Sequence, residues 1–228
     1  MAAVLLLFLL SVMPVWGWLD MRRLKRLDSA AARSRSYLLT ITALWLLAAL
    51  ATLLLPASLW TPPASLVAAV QLGHAPPGAL IGIVTGLMVG LLMPVLMARS
   101  KPALIERQLA PIRFLLPTAS AQRWLFVLLS LTAGITEEWI YRGFVLHDLT
   151  ARWPGSSGWL VMAAAALLFG IAHAYQGWRG MTITAVLGWF FCVLYVATGS
   201  LLAPMILHAL IDLRILLLLP RARPATAA

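Results

Sequence analysis

Runs of about 20 apolar residues, the length a helix needs to cross the hydrocarbon core of a bilayer, recur along this chain and leave little else to fold. They lie at Ala2–Leu19, Tyr37–Trp60, Ala79–Met97, Trp124–Leu146, Gly158–Tyr175, Met181–Thr198 and Leu201–Leu219. Lipid offers backbone N–H and C=O groups no partner, so such runs must become helices. The expected fold is therefore all-α, a polytopic transmembrane bundle of about seven spans. Only 11% of the 228 residues are charged, against about 25% in soluble domains. The first run lacks a positive leading segment and a small-residue cleavage site before Asp20, so a retained first helix is expected.

Basic residues mark the connections. Arg22, Arg23, Lys25, Arg26, Arg33 and Arg35 follow the first run; Arg99, Lys101, Arg107, Arg113 and Arg123 follow the third; Arg221 and Arg223 end the chain. The positive-inside rule then puts the N-terminus outside and the C-terminus in the cytoplasm, in a membrane that reads as a bacterial inner membrane. The net charge of +10 is an orientation signal rather than a nucleic-acid footprint, because no aromatic-interleaved basic patch or nucleic-acid motif accompanies it. The single cysteine, Cys192, excludes an internal disulfide and a thiolate metal site. Residues 61–78, which include His74, read as a loop or a shallow re-entrant piece. The short connections Gln176–Gly180 and Gly199–Ser200 force the last three runs to be antiparallel neighbours. The loop His147–Ser157, with its Pro154-Gly155 turn, lets the fourth join them. Three regions follow: 1–123 with N-terminal helices and basic loops, 124–219 as a four-helix unit, and 220–228 as a basic tail.

The chain has seven acidic residues. Three of them, Glu137, Glu138 and Asp212, fall inside apolar runs, where a charge costs about 2.5–3.5 kcal/mol even on the lenient insertion scale. Glu138 and Arg142 are four apart and share a helix face, so they are expected to pair. Glu137 points about 100° away, without a local cation. A carboxylate without a counter-ion in low dielectric suits proton transfer near neutral pH. His173 stands one turn after Phe169, and His208 one turn before Asp212. Three helices thus each turn polar groups away from lipid.

In order, Glu-Glu-x-x-x-Arg, Phe-x-x-x-His and His-x-x-x-Asp resemble the motifs of the CAAX prenyl protease and bacteriocin-processing family of membrane endopeptidases. This family is also called the Abi or type II CAAX endopeptidase family. The matching positions are Glu137, Glu138, Arg142, Gly143, Phe169, His173, His208 and Asp212. A proline that commonly follows the glycine upstream of the glutamates is missing near Gly134. The resemblance implies an intramembrane endopeptidase acting on a membrane-anchored protein or peptide, with the lipid bilayer as its other partner. Glu137 would deprotonate water, His173 would orient it, His208 would donate toward the oxyanion with Asp212 beside it, and Glu138 with Arg142 would fix the helix. A metal version uses Glu137, His173 and His208 on one zinc ion; the metal-free version is favoured slightly, because His-Glu-x-x-His is absent. Two other functions compete: a proton-coupled transporter, and a non-catalytic immunity or scaffold protein. Glu137 poses a problem of depth, since it lies about 20 Å from the start of its run at 1.5 Å per residue, whereas His173 sits near the cytoplasmic end of its own.

Overall fold

The structure is a computed structural model that describes residues 2–55, 59–70, 77–98 and 100–219. His74, Arg99, Arg221, Arg223 and the tail 220–228 lie outside the described residues. All regular structure among the described residues is helical. The helices are α1 (Ala2–Leu27), α2 (Ala30–Leu54), α3 (Ala64–Val70), α4 (Pro77–Met97), α5 (Pro102–Leu109), α6 (Ser120–Glu138), α7 (Leu146–Arg152), α8 (Gly158–Ala172), α9 (Gly177–Thr198) and α10 (Leu202–Leu218).

The count of about seven spans is not met by length and hydropathy. Among the described residues three helices qualify, Ala2–Leu27, Ala30–Leu54 and Ala174–Thr198, and four if the bent pair Val84–Met97 and Pro102–Leu115 counts as one span. The shortfall has physical causes. Helix α8 has only 15 residues and α10 only 17. Helix α6 carries Arg123, Glu137 and Glu138 in its 19 residues. Large apolar side chains such as Leu7, Leu46, Leu53, Leu160, Ile183 and Leu217 face outward along the helices. With the apolar lengths above, these faces make the chain an integral membrane protein.

The basic stretch expected as a loop after the first run is helical instead. Helices α1 and α2 meet at Asp28 and Ser29 alone. Asp28 adopts φ 34°, a left-handed conformation that its short polar side chain tolerates. Ser29 caps α2 by accepting from the Ala32 amide at 3.2 Å. Arg33 closes the corner on Asp28 at 2.8 Å. Further along the hairpin, Ser36 Oγ donates to Asp20 Oδ2.

Helix α6 is tied to this hairpin. Gln122 folds back to accept from the Thr118 amide at 2.9 Å, and its Nε2 donates to the Ala30 carbonyl at 2.7 Å. The expected loop His147–Ser157 is mostly helix. Helix α6 continues through π-helical turns at Trp139–Val145 into α7, and only residues 153–157 turn back. Gly155 takes φ 80° there, which glycine adopts at no steric cost. Segment 61–78 holds the short helix α3, whose Leu66 and Val70 are buried against Gly158 at the start of α8.

Helices α1 and α2 share one apolar core with α6–α10: Leu5, Leu9, Leu44 and Ala51 pack in the same cluster as Phe144, Met162, Phe169 and Met205. Helix α10 lies unusually close to α6, because a Cβ on Gly134 would sit 2.8 Å from the Ala209 nitrogen. Gly134→Ala therefore forces the two helices apart. It should lower stability by about 1–3 kcal/mol, read as a reduced unfolding midpoint in detergent. Gly86→Ala is the control, since a Cβ there meets nothing within 4 Å, and its midpoint should stay at the wild-type value.

Candidate active site

The two glutamates lie at the end of α6, immediately before the π-helical turns. A π-helical stretch widens the helix and re-aims the side chains it carries. Arg142, within it, is buried with 1% of its side chain exposed, and Glu138 with 0%. The expected pair is present: Arg142 Nη1 donates to Glu138 Oε1 at 2.9 Å. Arg142 Nη2 donates to the Gly188 carbonyl of α9 at 3.1 Å. Its guanidinium lies 4.3 Å from the ring centroid of Phe169 and 5.1 Å from that of Phe191. A cation between two aromatic rings gains from both faces. Gly188 allows this approach, since a Cβ there would lie 3.0 Å from Phe169 and 3.3 Å from Arg142 Nη2.

Glu138 has a second partner that the sequence did not indicate. His208 Nδ1 donates to the same oxygen, Oε1, at 2.8 Å. The carboxylate thus joins α6 to α10. Asp212, one turn from His208 on α10, stands 3.9 Å from His208 Nε2, too far for a hydrogen bond. Phe191 stacks on the His208 ring at 5.4 Å. Phe169 lies edge-on to both imidazoles, at 4.8 Å from His173 and 5.8 Å from His208. That ring is the packing centre of the site. Tyr141 also meets it edge-on, at 5.0 Å.

His173 is the C-cap of α8. Its Nδ1 donates to the Phe169 carbonyl at 2.9 Å, so in the neutral ring the lone pair lies on Nε2. That Nε2 lies 3.7 Å from Glu137 Oε2. Glu137 Oε2 is buried and has no hydrogen-bond partner. Each imidazole therefore holds its Nδ1–H on an acceptor and leaves Nε2 free.

The depth problem is settled by the lengths of the helices. Glu137 and Arg152 are fifteen positions apart, as are Gly158 and His173. With 153–157 as the turn, Arg152 rather than Leu146 marks the top of the rising arm. Equal arms of an antiparallel hairpin bring Glu137 and His173 to one level.

A cavity of about 230 Å³ opens beside them. Glu137, His173, His208 and Asp212 line it, with Asp20 and Ser36 from the α1–α2 hairpin and Tyr175 and Gln176 from the 3₁₀ turn after His173. Of the six residues singled out in the sequence, these four reach the cavity wall, while Glu138 and Arg142 stand behind it. Sequence reasoning missed Asp20, Tyr175 and Gln176. Tyr175 and Gln176 follow His173 directly, and their polarity next to an intramembrane histidine was the available signal. Among the described residues, no three His, Cys, Asp or Glu side chains converge closely enough to hold a metal ion.

Residues 119–214 match the family model described as type II CAAX prenyl endopeptidase, Rce1-like. This is the family that the three motifs resemble, and the matched stretch contains all six singled-out residues. No curated protein and no solved structure matches the chain.

Breaking a buried pair by removing one partner costs about 3–5 kcal/mol, because the other charge is stranded. Arg142→Met should therefore destabilise strongly in denaturant titrations in detergent. The double variant Glu138→Leu/Arg142→Met should lose less than the two single losses added together.

Proposed function

We propose that the chain is an intramembrane endopeptidase that hydrolyses a peptide bond in a membrane-associated protein or peptide. One observation carries the reading: a buried carboxylate oxygen without a hydrogen bond, Glu137 Oε2, faces the free Nε2 of His173 at 3.7 Å in a cavity wall. The separation is too long for a direct bond and suits a water held off the line between the two atoms. The family match over 119–214 supports the reaction class.

Glu137 takes a proton from the water as its oxygen bonds to the scissile carbonyl carbon. His173 Nε2 accepts the water's second hydrogen and so orients its lone pair. His208, with Nδ1–H on Glu138, carries its second proton on Nε2 and donates it as a hydrogen bond toward the oxyanion. The buried Glu138 carboxylate favours that imidazolium. The C–N bond then breaks, and Glu137 returns its proton to the leaving nitrogen. The basic ends of α1 and α2 lie near the cavity, so under the positive-inside rule the site opens to the cytoplasm, with the N-terminus outside. No step is routed through a metal.

The experiment compares C-terminal peptides of membrane proteins from cells expressing wild type and Glu137→Gln, followed by cleavage in proteoliposomes. Glu137→Gln and His173→Ala should each lower the rate by about 10²–10⁴-fold at normal membrane levels. Unchanged peptides between wild type and Glu137→Gln would refute proteolysis. After dialysis against a strong chelator the activity should persist; loss restored by zinc would replace the metal-free chemistry with a metal-assisted one.

A further inference from the structure

We propose that the cavity selects a substrate segment bearing a lysine or arginine side chain, with Asp20 as the residue that reads the charge. The inference rests on the hydrolase reading for the fate of the bound segment. The charge distribution carries it.

The chain has 17 Lys and Arg against 7 Asp and Glu. Yet three of those seven acids, Asp20, Glu137 and Asp212, line this one cavity, and no Lys or Arg is among its described lining residues. Of the two lining imidazoles, His208 is engaged at Nδ1 by Glu138 and His173 by the Phe169 carbonyl; with His208 charged, the three lining carboxylates still outnumber it. Most of the wall is apolar, including Met13, Leu44, Leu47 and Phe126. Charges act more strongly across such a low-dielectric space than in water.

Asp20 is placed apart from the proposed reacting groups, on α1. The buried hydroxyl of Ser36, 3% exposed, holds its Oδ2. Asp20 makes no ion pair with Lys or Arg among the described residues. Three cations of the hairpin make contacts elsewhere. Arg22 lies over the Trp18 ring at 3.5 Å, Lys25 over Phe114 at 4.7 Å, and Arg33 on Asp28 at 2.8 Å. Arg22, Arg23 and Arg26 line a separate recess. On α1, Arg22, Arg23 and Arg26 thus face a separate recess while Asp20 faces the cavity. An incoming cation completes Asp20, while an acidic side chain meets three carboxylates. A lysine or arginine stem also packs on apolar walls while its head reaches a polar partner.

The test uses labelled apolar peptides identical except at one position, which carries Lys, norleucine or Glu and is walked along the segment. Binding is read by fluorescence anisotropy in neutral detergent at low salt, and cleavage of the same peptides by mass spectrometry. At the best register the Lys peptide should bind wild type about ten-fold more tightly than the Glu peptide. Asp20→Asn, which can still accept from Ser36, should cut that ratio about five-fold, and Asp20→Lys should invert it. Equal binding of all three peptides at every register overturns the proposal. So does a wild-type ratio that survives in a folded Asp20→Asn protein with an unchanged unfolding midpoint. Charge-selective binding without any cleavage would remove the hydrolase reading and leave the selectivity standing; cleavage without charge preference would do the reverse.

Discussion

A single buried oxygen, Glu138 Oε1, holds the centre of this protein together. It accepts from Arg142 at 2.9 Å and from His208 at 2.8 Å. Removed from water, the carboxylate and the guanidinium are costly, and their attraction offsets that cost only with good geometry and further hydrogen bonds. The geometry is good and further hydrogen bonds form at Glu138 Oε1 and Arg142 Nη2, although Glu138 Oε2 and Arg142 Nε have none. The guanidinium lies between Phe169 and Phe191 and donates to the Gly188 carbonyl, while the carboxylate ties α6 to α10. Such a network tolerates one arrangement of α6, α9 and α10, because any slip strands a charge in low dielectric. Close backbone approach is the corollary. Gly134 against Ala209 leaves no room for a Cβ and Gly188 against Phe169 leaves little, so the helices come close enough for the aromatic and ionic contacts to form.

The polar residues of the site were legible because lipid gives them no other direction to face. Glu137, Glu138, Arg142, His173 and His208 stand out in apolar runs, and the spacing from Glu138 to Arg142 correctly gave their pairing. What the pattern did not carry was the second acceptor role of Glu138. His208 has an acid four residues away on its own helix, so local spacing pointed to Asp212, whereas the tertiary contact to α6 prevails at 2.8 Å against 3.9 Å. Heights were also hidden. The π-helical turns at Trp139–Val145 have no periodic signature, and the run of α6 into α7 passes through polar residues that read as a loop.

Asp20 escaped notice for a related reason. In sequence it lies at the edge of an apolar run beside a block of cations, where solvation is the expected outcome. The block is helical, and helical geometry sorts its charges by face. Arg22, Arg23 and Arg26 turn one way, and Asp20 turns toward Ser36 and the cavity. Alternation along a sequence thereby becomes segregation in space, a step that requires knowing that α1 extends to Leu27.

Two adjacent glutamates in lipid would be hard to justify if both were structural. Their environments divide them. Glu138 stands behind the cavity wall with its Oε1 engaged by a cation and an imidazole, and protonating that carboxylate would disrupt the packing around it. Glu137 keeps an oxygen with no hydrogen bond beside a cavity and a free imidazole nitrogen. Successive residues on a helix point about 100° apart, so one backbone position supplies a fixed charge to the bundle interior and the next an unengaged one to the cavity. The fixed charge makes the loose one tolerable, because the network around Glu138 holds α6 in place while Glu137 remains unpaired. Under the proposed chemistry that division is also functional: Glu138 steadies the imidazolium of His208 on one side of the substrate carbonyl, and Glu137 moves the proton on the other.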